Sequence, residues 1–368
     1  MTPDTAADLV VERTIELAAI PAPPLDESDR AAVVASWWRH DGLEPSIDKV
    51  GNVRARIRAG DGDAIVVCAH LDTVFGRSVP HIPLLDGQSL RGPGVGDDTI
   101  GVAALSTLDT LLPEHLDVPV WIVATVGEEG LGNLRGAHHL VAAPPAPIRA
   151  LIAVEGTFLG RIAMVGVGSV RWRIELTGPG GHAWEASHQP NAIHQLAATI
   201  VHFESMLAAV PGGARSSFNV GSIEGGEAIN ARATRAAMTV DIRSDDPATL
   251  TALEAAARTF LDADMDKAMA VHIEELGIRP AGRIAASDPL VEAANAGLAE
   301  IGRSPDHTAA STDANAAYAA DVAAIALGIT TGEGVHTTEE WIDISQVADG
   351  LRALVKTIVV YDRSAGRS

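Results

Sequence analysis

Five separated points of the chain place imidazole or carboxylate groups just after apolar runs. The first is Ala69-His70-Leu71-Asp72-Thr73, directly after the apolar stretch Ala64–Ala69. In extended chain, residues two apart point to the same side, so His70 and Asp72 can face one pocket. An imidazole can bind zinc and a neighbouring carboxylate can orient it; an ordinary surface turn would read the same way. The second is Gly92-Pro93-Gly94-Val95-Gly96-Asp97-Asp98-Thr99-Ile100-Gly101. A phosphate-binding loop is disfavoured, because two anions stand where a phosphate would sit. Residue 99 is also Thr where the dinucleotide fingerprint has its third glycine. Helix capping accounts for one of the two aspartates, and a metal-bridging role would account for the other.

The third point is Val126-Gly127-Glu128-Glu129-Gly130. On a loop, adjacent glutamates can address different atoms of one site, one binding a metal while the other takes a proton from water. A solvated acidic loop is the plain alternative. Glu155, in Ala153-Val154-Glu155-Gly156, and His336, in Gly334-Val335-His336-Thr337, complete the series. Singly each is ordinary. Together they supply the imidazoles and carboxylates that two divalent ions need if one carboxylate bridges them.

These points need a scaffold. Helical spacing runs from Thr5 to about Ala19, breaks at Pro21-Ala22-Pro23-Pro24, and resumes from Glu27 to Arg39 with Trp37 and Trp38 near the buried face. Strands are expected at Asn52–Ile57, Ala64–Ala69, Val118–Ala124 and Ala150–Val154, with helices at Thr99–Leu112 and Asn133–Val141. Strands alternating with helices predict an α/β fold, a mainly parallel sheet with helices on both faces. From about Gly168 the pattern changes to strand Val170–Thr177, helix Asn191–Ala209, strands Ser217–Ile223 and Ala233–Arg243, helix Pro247–Asp262 and strand Ala270–Leu276. That order is ferredoxin-like and predicts an α+β domain over residues 168–280, inserted in a catalytic domain formed by 1–167 and 281–368. After Pro280, helices Pro289–Ile301 and near Thr312–Ala320 and the strand Ala323–Leu327 return to the α/β style.

Composition narrows the function. Of 368 residues, 47% are hydrophobic and 20% charged, which suits a globular protein with a large core. A net charge of −21 disfavours a nucleic-acid partner, whose phosphates would be repelled. Nothing reaches the run of about eighteen apolar residues that a membrane helix needs. After Met1-Thr2-Pro3-Asp4 no basic segment followed by an apolar stretch is read, so a secretory signal is not expected. One cysteine, Cys68, lies within an apolar run and reads as a buried thiol, so a reducing cytoplasm is expected.

The series His70-x-Asp72, Gly96-Asp97-Asp98, Gly127-Glu128-Glu129-Gly130, Glu155 and His336-Thr337-x-Glu339-x-Trp341 resembles the M20 family of metallopeptidases, which includes peptidase T and the aminoacylases. Ser311-Thr312-Asp313-Ala314-Asn315 also resembles a family motif. The resemblance extends over nearly the whole chain. It implies that His70, Asp97 and Glu155 bind one ion, that His336, Asp97 and Glu129 bind the other, that Asp97 bridges the two, and that the peptide bond from Asp97 to Asp98 is cis. Zinc is the expected metal, with cobalt or manganese as alternatives. Asp72 would support His70, and Glu128 would be the general base acting on a water held between the ions. Thr99 departs from relatives, which often carry Lys or Met there.

In the inserted domain, His182 of Gly180-Gly181-His182-Ala183 matches a histidine that steadies the oxyanion, often across a dimer. Arg243 of Asp241-Ile242-Arg243 matches an arginine that grips a substrate carboxylate, and Asn230 an asparagine that contacts substrate. The implied activity is hydrolysis of a peptide or amide bond by a homodimer. Residues Val165–Trp172 and Gly180–His182 look closest to peptidase T-like members, hence a short-peptide aminopeptidase, with N-acyl amino-acid deacylase or desuccinylase and dipeptidase as alternatives and a non-catalytic metal-binding scaffold as the rival outside enzymes.

Overall fold

The strand Ala64–His70 is buried at every residue. It pairs in parallel with Val120–Thr125 on one side and Ile148–Val154 on the other, and Ile148–Val154 pairs in parallel with Ala323–Leu327. A strand flanked on both edges and covered on both faces has no solvent side, so its sequence is apolar throughout rather than alternating. Its side chains still divide by the two-residue period. Ile65, Val67 and Ala69 join one core with Ala6, Val10, Trp38, Leu105 and Leu354, whereas Val66 and Cys68 join another with Leu140, Ala314 and Ala317. Helices therefore cover both faces of the sheet. Val53–Arg58 pairs antiparallel with Val120–Thr125 and alternates buried with less buried positions, as an antiparallel strand with one more exposed face does.

The computed structural model describes residues 1–210, 213–263 and 265–365. The chain folds as two compact units, Met1–Gly166 with Arg283–Ser368, and Val167–Gly282. In the second, Gly168–Thr177, Ser216–Gly225, Arg235–Ser244 and Ala270–Arg279 form one antiparallel sheet. Its spatial order is Ser216–Gly225, Arg235–Ser244, Gly168–Thr177, Ala270–Arg279. The helices Ala192–Ala208 and Pro247–Ala263 bury Leu196, Phe203, Leu253 and Leu261 in a core with Trp172, Ile174 and Met238.

The structure departs from the sequence expectation in the segment 99–112. In place of one helix there is an irregular turn at Val95–Thr99, with Asp97 and Asp98 outside helical geometry, then short helices Ile100–Leu105 and Leu108–Leu111. Ser106 and Thr107 divide them. Thr107 Oγ1 donates to the Ala104 carbonyl, a competitor of continued helix, and Ser106 Oγ accepts from Trp38 Nε1. Elements without a strong sequence signal also form. They include the strands Arg161–Gly166 and Asp306–Ala310, the final helix Val347–Ala365, and a small antiparallel sheet of Leu84–Asp86, Ser89–Arg91, Trp341–Asp343 and Gly332–Glu333.

Candidate active site

Parallel strands end together at one edge of a sheet, and open α/β sheets place their sites at that edge. His70 is the last residue of its strand, Gly127–Glu129 follow Thr125, and Glu155 follows Val154. The turn carrying Asp97 and the loop carrying His336 complete the constellation. Oxygen and nitrogen atoms of His70, Asp97 and Glu155 converge within 4.8 Å of one another, as do those of Asp97, Glu129 and His336, and those of His70, Glu128 and Glu129.

Asp97 lies between the two histidines. Its Oδ1 is 2.9 Å from His70 Nε2 and its Oδ2 is 3.1 Å from His336 Nε2. His336 Nε2 is also 2.9 Å from Glu129 Oε1. His336 holds a left-handed φ of 66°, uncommon for a residue with a Cβ. The peptide bond Asp97–Asp98 is cis. His70 Nδ1 meets the carbonyl oxygen of Asp72 at 2.9 Å, which fixes the ring and aims Nε2 at Asp97.

The protonation of the cluster follows from its crowding. For Asp97, burial opposes ionisation, but hydrogen bonds from His336 and His70 hold its carboxyl well below the usual range. Burial likewise opposes charge on His70, and Asp97, Asp98 and Asp72 outweigh it, raising the imidazole well above its ordinary value. Hydrogen bonds to Asp97 and Glu129 push His336 up to about 10. Burial raises Glu155 and Asp98 well above the carboxylate norm. This crowding pushes the two imidazoles, Glu155 and Asp98 towards their protonated forms while Asp97 is held ionised, and the same oxygen and nitrogen donors suit divalent cations that would take the protons' place. The residues fit a pair of metal ions.

Main-chain donors fix the ligand-bearing loops. Asp72, fully buried, accepts from the N–H of Glu128 at 2.9 Å and of Glu129 at 2.7 Å, while its Oδ1 stands 3.7 Å from His70 Nδ1. Its carboxylate thus orders the glutamate pair, and its carbonyl orders the histidine. Asp98 accepts from the N–H of His70 and of Gly156. Arg30, buried in the helix Ser28–His40, donates through Nη1 to the Leu71 carbonyl and to Thr99 Oγ1, and Thr99 Oγ1 donates to Gly94 O. Burial lowers the Arg30 guanidinium to about 10, with Asp72 acting in the opposite direction.

Sequence reasoning missed Arg30, because an arginine in an amphipathic helix reads as a solvated residue. It also stressed Glu339, which is exposed; the buried residue is its neighbour Glu340. Glu340 Oε1 accepts from the N–H groups of Gly96 and Asp97 and Oε2 from that of Gly94, while burial and the Asp97 charge raise its carboxyl to about 7. In the motif Ser311–Asn315, Asp313 is buried and Oδ2 accepts from Thr125 Oγ1 at 2.5 Å, at the end of the strand preceding Glu128.

The remaining expected residues lie in the second unit. His182 pairs by a backbone bridge with Ala231, and Ala183 N–H donates to the Asn230 carbonyl, so the His182 and Asn230 loops run side by side with both residues exposed. Arg243 is on the strand Arg235–Ser244, its Nε and Nη2 donating to Asp241 Oδ2 at 3.0 and 2.8 Å.

No curated protein matches the chain significantly by sequence. Solved structures share its fold. The aminopeptidase PepT of Bacillus cereus is 22% identical, with a TM-score of 0.78 over 97% of this chain and 99% of that one. A tripeptidase of Staphylococcus aureus is 20% identical, with a TM-score of 0.80 over 97% and 99%. The Bacillus subtilis YXEP protein, a dinuclear metal-binding peptidase of the M20 family, is 16% identical, with a TM-score of 0.72 over 97% and 99%. The sequence model of peptidase family M20/M25/M40 matches residues 66–359, from the strand that ends in His70 into the final helix. With the match spanning most of the chain and both histidine segments, the protein belongs to peptidase family M20/M25/M40.

Proposed function

We propose that the protein is a dinuclear metal-dependent hydrolase of short peptides or N-acyl amino acids. The observation that carries this reading is Asp97, whose two oxygens face two different imidazoles, one beside Glu155 and the other beside Glu129. His70, Asp97 and Glu155 would hold one ion and His336, Asp97 and Glu129 the other, with zinc expected and cobalt or manganese as alternatives. Ions held there would polarise the scissile carbonyl and lower the pKa of an attacking water.

Glu128 would take that water's proton and pass it to the leaving nitrogen. It is buried, its main chain is pinned by Asp72, and its carboxylate lies in reach of His70 and Glu129. Glu128→Gln is expected to cut turnover by about 10²–10⁴-fold while metal content stays at the wild-type level. Undiminished turnover in that variant would remove Glu128 from the role.

Residues 1–167 and 281–368 are proposed as the catalytic domain and 168–280 as a lid and dimerisation domain. From the latter, His182 would steady the oxyanion and Arg243 and Asn230 would bind substrate. Asp241 must release or share Arg243 if a substrate carboxylate is to reach that guanidinium. A homodimer in the cytoplasm belongs to the same proposal, and sedimentation of a fully active monomer would contradict the dimer. The likeness to an aminopeptidase and a tripeptidase favours short peptides, while the likeness at 15% identity to the dipeptidase Dug1p of Saccharomyces cerevisiae keeps dipeptides in view. A panel of tripeptides, dipeptides and N-acyl amino acids, assayed with zinc, cobalt or manganese, should give fastest cleavage with tripeptides. Preference for N-acyl amino acids would replace the aminopeptidase reading with a deacylase.

A further inference from the structure

Three buried carboxylates chain the ligand-bearing segments together through main-chain N–H groups. Glu340, from the loop of His336, binds the Gly94–Asp97 turn. Asp98, from that turn, binds the N–H of His70 and of Gly156, next to Glu155. Asp72, from the His70 segment, binds Glu128 and Glu129. Each carboxylate belongs to one ligand segment and orders another.

Glu340 is the link with most donors. Its Oε2 accepts from Gly94 at 2.9 Å, and its Oε1 from Gly96 at 2.7 Å and Asp97 at 2.8 Å. Its carbonyl accepts from Gly92 N–H at 2.9 Å, and the next strand, Trp341–Asp343, pairs antiparallel with Ser89–Arg91. Both ends of the residue are therefore tied to the segment that leads into Asp97. Gly96 makes room for it: a Cβ there would stand 2.9 Å from Glu340 Oε1 and 2.8 Å from Ile342 Cγ2. Four positions before Glu340, on the same loop, His336 touches Asp97 and Glu129.

We propose that Glu340 is a positioning residue that seats the Asp97 turn against the His336 loop. Its loss would weaken the ion held by Asp97, Glu129 and His336 more than the ion held by His70, Asp97 and Glu155. The asymmetry follows from the other anchors. His70 ends a strand bonded on both sides, and Glu155 N–H donates to the Leu327 carbonyl at 2.7 Å. His336 sits in a half-exposed left-handed turn whose distance from Asp97 depends on the loop that Glu340 fastens. Glutamine at 340 would offer one acceptor oxygen and turn an N–H₂ towards main-chain donors, leaving at least one buried N–H unpaired. This inference rests on the dinuclear reading.

The test is a stepwise Co²⁺ titration of metal-free protein, followed by calorimetry and visible absorption. Wild type, Glu340→Gln and the exposed control Glu333→Gln are compared, and His336→Ala identifies the step that belongs to that histidine. Glu340→Gln should weaken the His336 step about tenfold or more, change its cobalt absorption band and leave the other step within about threefold, whereas Glu333→Gln follows wild type. Wild-type protein that takes up no pair of ions would sink the dinuclear reading itself. Two wild-type steps with both unchanged, or both equally weakened, in Glu340→Gln would overturn the role of Glu340 alone. Should that variant not fold, amide hydrogen exchange of wild type decides: Gly94, Gly96 and Asp97 must be protected in the metal-free protein, and exchange at open-loop rates overturns the proposal.

Discussion

At the scale of single residues, the proton is the competitor of the metal. Asp97 and Glu129 raise His336 to about 10, and Asp97 with Asp98 and Asp72 raises His70 against the opposing effect of burial. Imidazoles raised in this way stabilise the metal-free fold fully below their ordinary value near 6.5, and that contribution is lost as pH climbs towards the raised value. Metal binding needs both rings neutral, so affinity grows over the same interval. The increase in melting temperature produced by zinc should therefore widen between about pH 6 and 9. Calorimetric scans with and without zinc measure it, and an increment that shrinks with rising pH would oppose this assignment of the imidazoles. The residues that converge in this cluster were legible in sequence, His70, Glu129 and Glu155 because they follow apolar strands, and Asp97 and His336 because they sit in glycine-bearing motifs. Glu340 was not, because its partners are main-chain N–H groups of a segment far away in sequence and nothing in a side-chain motif marks them.

At the scale of elements, the turn Val95–Thr99 and the helix Ile100–Leu105 are fitted to the site by close approach. A Cβ on Gly101 would lie 2.1 Å from Asp98 Oδ1, the oxygen that holds Gly156 N–H. Gly101→Ala should destabilise the fold by about 1–3 kcal/mol through overpacking and loosen the seat of Glu155. Urea denaturation with a metal assay measures both, and an unchanged midpoint with full metal content would contradict the packing argument. The four long strands of the second unit, the central strands of the first and most helices are visible in the sequence within a few residues, because apolar runs and alternating patterns follow directly from burial. The segment 99–112 misled because alanine and leucine favour helix on both sides of Ser106-Thr107, while the break falls where the Thr107 side chain bonds the main chain at Ala104. The two- and three-residue strands of the small sheet are too short to carry a period, yet they bring Glu340 to the Asp97 turn.

At the scale of the molecule, the acidic excess is mainly a surface property. Of 48 Asp and Glu residues, the described structure buries Glu27, Asp72, Asp98, Glu128, Glu129, Asp313, Glu340 and Asp362. Asp97 and Glu155 are enclosed in the same cluster, and the other described acidic residues are partly or fully exposed and give a negative exterior, which repels phosphate polyanions. No helix among the described residues is long and apolar enough to cross a membrane. The buried minority has a different physical role: carboxylates are costly to bury without compensation, and here they converge on two histidines and on main-chain N–H groups. Cations between them would neutralise the cluster, which makes the number of bound ions the most direct measure of its purpose. Equilibrium dialysis against zinc, followed by elemental analysis, should find about two ions per chain in wild type and fewer than about one in Asp97→Ala, since both ions would share that aspartate. Two ions retained without Asp97, or none bound by the wild-type chain, would contradict the bridged centre on which the proposed hydrolysis depends.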